Sequence, residues 1–312
     1  MSLAQEWQPA ITVRAAAKVN LTLQVGPARP DGFHPLDTIY QAIGLYDDLT
    51  AVTAPDWSVE VTQIGQAEEA LHIDLGSVPT GDDNIVIRAG KALAAHHDLD
   101  LAAAFSIAKG IPVAAGMAGG SADAAAALVA LDRLWELETS DQDLLHLAAG
   151  LGSDVPFALI GGTAHGTGRG ELVEPMVASA TQWFVIVPSL TGGLSTPAVY
   201  AEYDRGEVHG IEPPLALLEA LQNGDPLTQA MLRNDLTEPA LRLKPELADL
   251  IALGERLGAR ASLLSGSGPT LLFLADDQNQ AMELRADFIA NGVHQALAAP
   301  GPVAGAHVVD YA

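Results

Sequence analysis

The chain contains no cysteine, which excludes disulfides, thiolate metal centres and a cysteine nucleophile, and fits a reducing compartment. Aromatic residues make up 5% of a 312-residue sequence that is 49% hydrophobic, so any core must be assembled from Ala, Leu, Val and Ile. Positive charge is scarce: 15 Lys and Arg stand against 39 Asp and Glu, a formal net charge of −24. That balance argues against nucleic acid as a partner. Long apolar runs are missing too. The longest, Ala124 to Leu131, falls well short of the ~20 residues that a membrane-spanning helix needs. Residues 1–10 have neither the basic start nor the apolar centre of a secretory leader. Together these absences predict a cytoplasmic protein with no membrane partner and room for two domains. Oligomeric state is not legible, and monomer and homodimer both fit.

What is present centres on one segment. Gly110-Ile-Pro112-Val-Ala114-Ala115-Gly116-Met117-Ala118-Gly119-Gly120-Ser121-Ala122-Asp123 puts a run of small residues before an Ala-rich helical stretch. Small residues let backbone N–H groups approach a ligand, and the N-terminus of a helix attracts anions, so the segment suits a phosphate. It is not a Walker A loop, because no lysine follows Lys109 before the helix, and it lacks the dinucleotide spacing. The run Gly166-Thr-Gly-Arg-Gly fails that spacing as well, having Glu171 where the last glycine belongs. A plainer reading remains open: a tight turn capped by Ser121, with Asp123 in the first turn.

Charge is distributed to suit an anionic ligand. Between Arg14 and Asp37 the basic residues Arg14, Lys18 and Arg29 outnumber the acidic ones, whereas the acid excess falls at Asp47 to Glu69 and Glu202 to Glu219. Periodicity and turn signals predict strands at 11–16 and 19–25, a turn over 26–35 and further strands within 49–64. A helix capped by Asn84 is expected over 84–95, a short strand at 105–108, and helices at 121–135 and 141–149, the latter stopped by Gly150. Beyond these, a strand starts at 162–164 and another occupies 183–188. Helices are expected at 214–223 and 245–257, and 261–264 pairs with 271–275 around a glycine-rich loop.

Three further segments accompany the phosphate loop. They are Ala17-Lys18-Val-Asn20-Leu with Asp31-Gly32-Phe33-His34, then Leu151-Gly-Ser-Asp154-Val-Pro-Phe, then Ser265-Gly266-Ser267-Gly268-Pro-Thr270. In this order they resemble the GHMP kinases, the family of galactokinase and the homoserine, mevalonate and phosphomevalonate kinases. The resemblance runs from about Arg14 to about Phe273, and the Asp-Gly-Phe-His segment narrows it to the branch whose substrate carries a cytidine diphosphate.

The resemblance implies an α/β (α+β) two-domain fold, with a ribosomal-protein-like N-terminal domain over 1–175, an α/β-plait C-terminal domain over 176–312, and the active site in the cleft between them. It implies ATP as donor and a nucleotide-bound Mg²⁺, for which Ser121 is a candidate ligand. Pro112 and Ala114 to Ala122 would hold the ATP phosphates. Lys18 and Asp154 would be the catalytic pair. Asp154 alone reads as a helix N-cap with Pro156 behind it, and Lys18 alone as an edge-strand surface lysine. Lys18 and Asn20, two apart in a strand, share a face. Asn20, Asp31, Gly32, Phe33, His34, Thr196, Tyr200 and Ser265 to Gly268 would bind substrate, with His34 reading the base edge and aromatic rings stacking on it; a lone loop histidine is otherwise usually solvent-exposed. Departures from the family loop are Ala118, where a glycine is usual, and Ala122, where a second serine is. Ala118 would be strained if its φ were positive. Two other readings stay open: a different GHMP small-molecule kinase, of mevalonate or homoserine type, and a non-catalytic nucleotide-binding regulator of the same fold.

Overall fold

The computed structural model of the chain describes residues 9–64, 71, 73–189, 193–206 and 210–309. Residues 1–8, which carry most of the segment read for a leader, lie outside them. The first half forms strands β1 (Ala10–Val25), β2 (Leu36–Ala54), β3 (Ser58–Gln63), β4 (Ala102–Lys109), β5 (Thr163–Thr167) and β6 (Leu172–Met176), with helices α1 (Ile85–His96), α2 (Gly119–Leu134), α3 (Asp141–Leu151) and α4 (Val155–Ile160). The second half adds β7 (Gln182–Val187), β8 (Arg233–Asn234), β9 (Ala261–Leu264), β10 (Leu271–Ala275), β11 (Leu297–Gly301) and β12 (His307–Val308). Its helices are α5 (Thr196–Tyr203), α6 (Leu215–Asn223), α7 (Thr237–Leu243), α8 (Glu246–Arg256) and α9 (Gln278–Ala290).

Two sheets result. One runs β12-β1-β2-β4-β3, with β5 and β6 continuing from β2, and β8 alongside β1; the other is antiparallel in the order β11-β7-β10-β9. The change from one sheet to the other falls between Met176 and Gln182. β8 and β12, from the second half, return to flank β1.

Strand β1 explains how both halves meet at one place. Val13, Ala15, Ala17, Val19 and Leu21 join the large core with α2 and the inner face of the second sheet, including Phe184, Ile186, Leu272 and Leu274. A register shift between Asn20 and Thr22 leaves Leu21 without a partner on β2. One extra residue reverses the alternation of faces. Leu23 and Val25 therefore pack into a second core, with Val185, Val187, Leu271 and Phe273. Leu23 consequently faces the same cleft as Lys18 and Asn20.

Helix α2 is apolar on nearly every side, as a helix enclosed by protein must be. Ala122, Ala124 to Leu128, Ala130 and Leu131 are all buried. Small side chains bring it close to β1 and β2, and its two fully buried leucines contribute about 1.5–3 kcal/mol each. The helix starts at Gly119, two residues earlier than expected. α3 likewise differs from expectation, continuing through Gly150 to Leu151, with Gly152 as its C-cap. A helical glycine costs about 1 kcal/mol against alanine, which packing of Ala148 and Leu151 outweighs. β2 begins at Leu36, well before the strand signal at 49, because its first half is a fully enclosed mixture of polar and apolar residues without clean alternation.

The turn that carries the glycine-rich loop is held by a buried ion cluster. The Lys109 ammonium, at the end of β4, bonds Asp47 of β2 and, at 2.7 Å, Asp123 of α2. The other Asp47 oxygen accepts the N–H groups of Gly110 and Ile111 at 2.7 and 2.9 Å. Burial works against the Lys109 charge, but Asp123 and Asp47 outweigh it and raise its pKa. Burial raises Asp123 far above the ordinary carboxylate value, against the Lys109 charge and with that of Asp47.

Two outcomes follow from one ammonium facing two carboxylates. Lys109→Met leaves two buried carboxyl groups without their ammonium partner and should lower the unfolding free energy by about 3–5 kcal/mol in urea titrations. Asp123 has a folded pKa above its unfolded value, so its contribution is full below about pH 4 and is lost as pH rises through the folded value. Asp123→Asn, which stays neutral, should therefore gain stability relative to the native chain as pH is raised from 4 to 7; a pH-independent difference would contradict the assignment.

Candidate active site

Lys18 sits on β1 opposite Ala42 of β2 and is 7% exposed. It is no surface lysine. Its Nζ donates to Asn20 Oδ1 at 2.8 Å, confirming that the two side chains share a face. Asn20 in turn donates to Thr38 Oγ1 at 2.7 Å, and Thr38 donates to the Thr22 carbonyl at 2.6 Å. The ammonium also lies 5.6 Å from the Tyr40 ring centroid and 3.8 Å from Asp154 Oδ2. A buried cation requires such partners, and each side chain in this series donates at least one hydrogen bond.

Asp154 occupies the N-cap position of α4 but makes no capping hydrogen bond. Its carboxylate is turned into the cleft, where Tyr40 Oη donates to Oδ1 at 3.1 Å. Burial, then the Asp154 charge, pushes the Tyr40 phenol well above its ordinary pKa, which keeps its proton available for that bond. Tyr40 was not identified from sequence. It stands opposite Asn20 in the β1–β2 register, and placing it required reading the first half of β2 as a strand.

The glycine-rich loop approaches the same point from the other side. The Lys18 backbone N–H donates to the Met117 carbonyl at 3.2 Å. Gly116 has φ of +77°, and a Cβ there would lie 2.2 Å from the Ser265 carbonyl oxygen, so only glycine fits. Ser265 Oγ donates to the Gly116 carbonyl at 3.0 Å, locking this loop to the turn between β9 and β10. Asn234 Nδ2 holds that turn through the carbonyls of Leu264 and Gly266 at 2.9 and 2.7 Å. Ser121 is not the cap of α2: the N-cap position is Ala118, which makes no side-chain capping bond. The first N–H groups of a 16-residue helix are thus left to whatever enters the cleft.

Lys18, Asp154, Pro112, Ala114, Ala115, Gly116, Ala118, Gly119, Gly120, Asn20, Gly32, Phe33, His34, Thr196, Tyr200, Gly266 and Ser267 all line one cleft of about 870 Å³. Met117 and Ala122 are fully buried in the core beside it. Ser121, Asp31, Ser265 and Gly268 do not line it. Ser265 and Asp31 act locally, Ser265 as the lock just described and Asp31 by accepting the Phe33 N–H at 3.0 Å and pairing with Arg29. Thr196 and Ser267 are bridged by their hydroxyls at 2.9 Å.

At one end of the cleft, Phe33 is 49% exposed, with the Arg169 guanidinium 5.0 Å from its ring centroid. His34 is buried, against the usual expectation for a loop histidine, and its ring lies 5.0 Å from that of Tyr200. Burial, followed by the Asp154 charge, raises the Tyr200 pKa, so its hydroxyl stays protonated. The cleft is also lined by Val78, Pro79, Asn84, Ile85 and Lys109, which sequence analysis had not assigned to the site. Asn84 was expected as a helix cap and does cap α1, accepting the Val86 N–H at 2.8 Å. Among the described residues no group of three or more His, Asp or Glu is placed to hold a metal ion.

Comparison with known proteins agrees over nearly the whole length. The family model "GHMP kinases N terminal domain" matches residues 84–162 and "GHMP kinases C terminal" matches 217–294. The chain is 57% identical to the 4-diphosphocytidyl-2-C-methyl-D-erythritol kinase of a Nocardioides species, over 96% of this chain and 100% of that one. It is 48% identical to the enzyme of that name from Salinispora arenicola, over 95% and 93%. Among solved structures it resembles a crystal structure of 4-(cytidine 5'-diphospho)-2C-methyl-D-erythritol kinase, with TM-score 0.75, 30% identity, and coverage of 94% and 100%. It shares its fold with a homoserine kinase from Cytophaga hutchinsonii, with TM-score 0.71, 17% identity, and coverage of 99% and 100%.

Ala118 has the left-handed conformation that sequence analysis flagged as strained, with φ 56° and ψ 35°. A non-glycine residue pays about 1–2 kcal/mol there. Ala118→Gly should recover roughly 1 kcal/mol less the added chain entropy, seen as a higher midpoint of thermal unfolding; a lower midpoint would show that the alanine methyl group is required by its surroundings.

Proposed function

The chain belongs to the GHMP kinase family, in its 4-diphosphocytidyl-2-C-methyl-D-erythritol kinase branch, and we propose that Lys18 and Asp154 carry its phosphoryl transfer within the cleft just described. The enzyme moves a phosphoryl group from ATP to the 2-hydroxyl of its polyol substrate, a step toward isoprenoid precursors. The observation that carries the residue assignment is the 3.8 Å gap between Lys18 Nζ and Asp154 Oδ2, at the point where loop, helix N-terminus and strand converge.

A hydroxyl that bridges these two groups from the cleft side can give its proton to Asp154 while its oxygen lies against the Lys18 ammonium. The O–H bond breaks toward the carboxylate, the oxygen forms a bond to the γ-phosphorus, and the bond to the ADP oxygen breaks with its electron pair leaving on ADP. Tyr40 holds one carboxylate oxygen and leaves the other directed at the hydroxyl. The loop over 112–122 and the free N-terminus of α2 receive the triphosphate. Phe33, His34 and Tyr200 receive the cytidine, and the lining formed by Pro79, Asn84 and Ile85, the last close to Gly120 of the loop, is left for the purine.

For a nucleotide-bound Mg²⁺ the donor that fits is Asp123 Oδ1, a buried oxygen with no hydrogen-bond partner among the described residues, on a side chain that lines the cleft; in its ionised form it would be a hard oxygen ligand, whereas Ser121, the candidate read from the sequence, does not line the cleft. When bound, the ion neutralises phosphate charge; most of its shell would be phosphate and water. The domain division is placed at 175/176, next to the change of sheets. The enzyme is assigned to the cytoplasm as a monomer or homodimer, and the 39 acidic against 15 basic side chains support a reading without nucleic-acid partners.

The test is ADP release with ATP, magnesium and a panel of the cytidyl methylerythritol substrate, mevalonate and homoserine. Turnover is expected with the cytidyl compound alone. Asp154→Ala should lower kcat by about 10²–10⁴-fold while leaving calorimetric affinity for the cytidyl substrate close to native. Near-native kcat in that variant removes Asp154 from the mechanism.

A further inference from the structure

His34 is held in a way that determines what it can read. Its Nε2 lies 2.8 Å from Asp204 Oδ1. Asp204 follows directly on α5, and its backbone N–H bonds the Tyr200 carbonyl at 3.0 Å, so the helix that carries the Tyr200 ring also carries this carboxylate. The Tyr203 ring stands edge-on to the imidazole at 6.0 Å, and its hydroxyl is anchored on the Val25 carbonyl. Imidazole orientation is therefore fixed from three sides before any ligand binds.

An ionised carboxylate can only accept hydrogen bonds, so Nε2 must carry the hydrogen. In the neutral ring that makes Nδ1 an acceptor. Nδ1 has no hydrogen-bond partner among the described residues, and His34 lines the cleft. Cytosine presents an amine donor at position 4, whereas uracil presents a carbonyl acceptor there. An acceptor Nδ1 pairs with the first and opposes the second.

We propose that Asp204 is a positioning residue that sets the His34 tautomer and so makes the cleft select a cytosine over a uracil nucleotide substrate, an inference that rests on His34 being the residue that reads the base. Asp204 touches no substrate in this account; it acts through His34. The half-exposed carboxylate, with 44% of its side-chain surface open, leaves a contribution typical of one hydrogen bond and not of a sealed pocket.

The experiment compares the native enzyme with Asp204→Asn, using the cytidyl substrate and its uridyl counterpart with the same diphosphate and polyol, and records ¹⁵N NMR of histidine in the free enzyme. His34→Ala identifies the His34 signals among the nine histidines. The asparagine amide offers both a donor and an acceptor, so it tolerates either tautomer. Expected are an Nε2–H signature for native His34 and a cytidyl-to-uridyl preference in kcat/KM that falls at least about fivefold in Asp204→Asn, the loss falling on KM. An Nδ1–H signature in the native enzyme, or unchanged selectivity in Asp204→Asn, overturns the role of Asp204. A cytidyl KM unchanged in His34→Ala overturns the base-reading assignment itself, and the inference with it; a raised KM there with unchanged selectivity in Asp204→Asn overturns the inference alone.

Discussion

An ammonium group in the interior of a β-sheet is the constraint around which the rest of this molecule is arranged. Lys18 is 7% exposed on a strand paired along nearly its whole length, where an unpartnered charge would cost several kcal/mol. Its partners come from separate parts of the chain: Asn20 from the same strand, the Tyr40 face from β2, and Asp154 from the start of α4. The backbone of the same residue ties down Met117 in the glycine-rich loop. A Cβ on Gly266 would come within 3.3 Å of its Nζ, so the C-terminal turn closes on it as well. Satisfying one cation thus brings these segments together at the cleft in which we propose that phosphoryl transfer takes place, so that stability and the proposed function draw on the same contacts.

The gathering depends on two local devices. One extra residue in β1 reverses its alternation, so that a single strand contributes to both cores and faces the cleft in between. The Lys109 cluster fixes both ends of the loop: Asp47 holds Gly110 and Ile111 at its start, and Asp123 anchors the first turns of α2 at its finish. Between these ends the loop needs no side-chain anchor of its own, which leaves its backbone N–H groups for a ligand. The strained Ala118 sits at the junction, consistent with strain that is tolerated where its surroundings fix the backbone.

Much of this was legible in the residues. The small-residue loop before α2, the cap at Asn84, the β9–β10 pair and the shared face of Lys18 and Asn20 are local features, fixed by spacing and side-chain chemistry. What escaped was non-local. Tyr40 and Thr38 belong to a strand whose two faces are both enclosed, so its polar and apolar residues do not alternate. Asp204 and Arg169 reach the cleft through pairings with residues 170 and 136 positions away, and no period in the sequence reports such distances. Asp123 looked like a first-turn acid because the competing attraction of a buried lysine is invisible without the sheet that buries it.

In the mechanism we propose, the acceptor hydroxyl bridges Asp154 and Lys18 as it reacts. The most direct test is a crystal structure of the enzyme with its cytidyl substrate and a non-hydrolysable ATP analogue. Expected is the 2-hydroxyl oxygen about 2.6–3.2 Å from an Asp154 carboxylate oxygen and in line with the γ-phosphorus, with the triphosphate over the N-terminus of α2. A hydroxyl bound beyond hydrogen-bond reach of Asp154, or a triphosphate away from that helix, would contradict it.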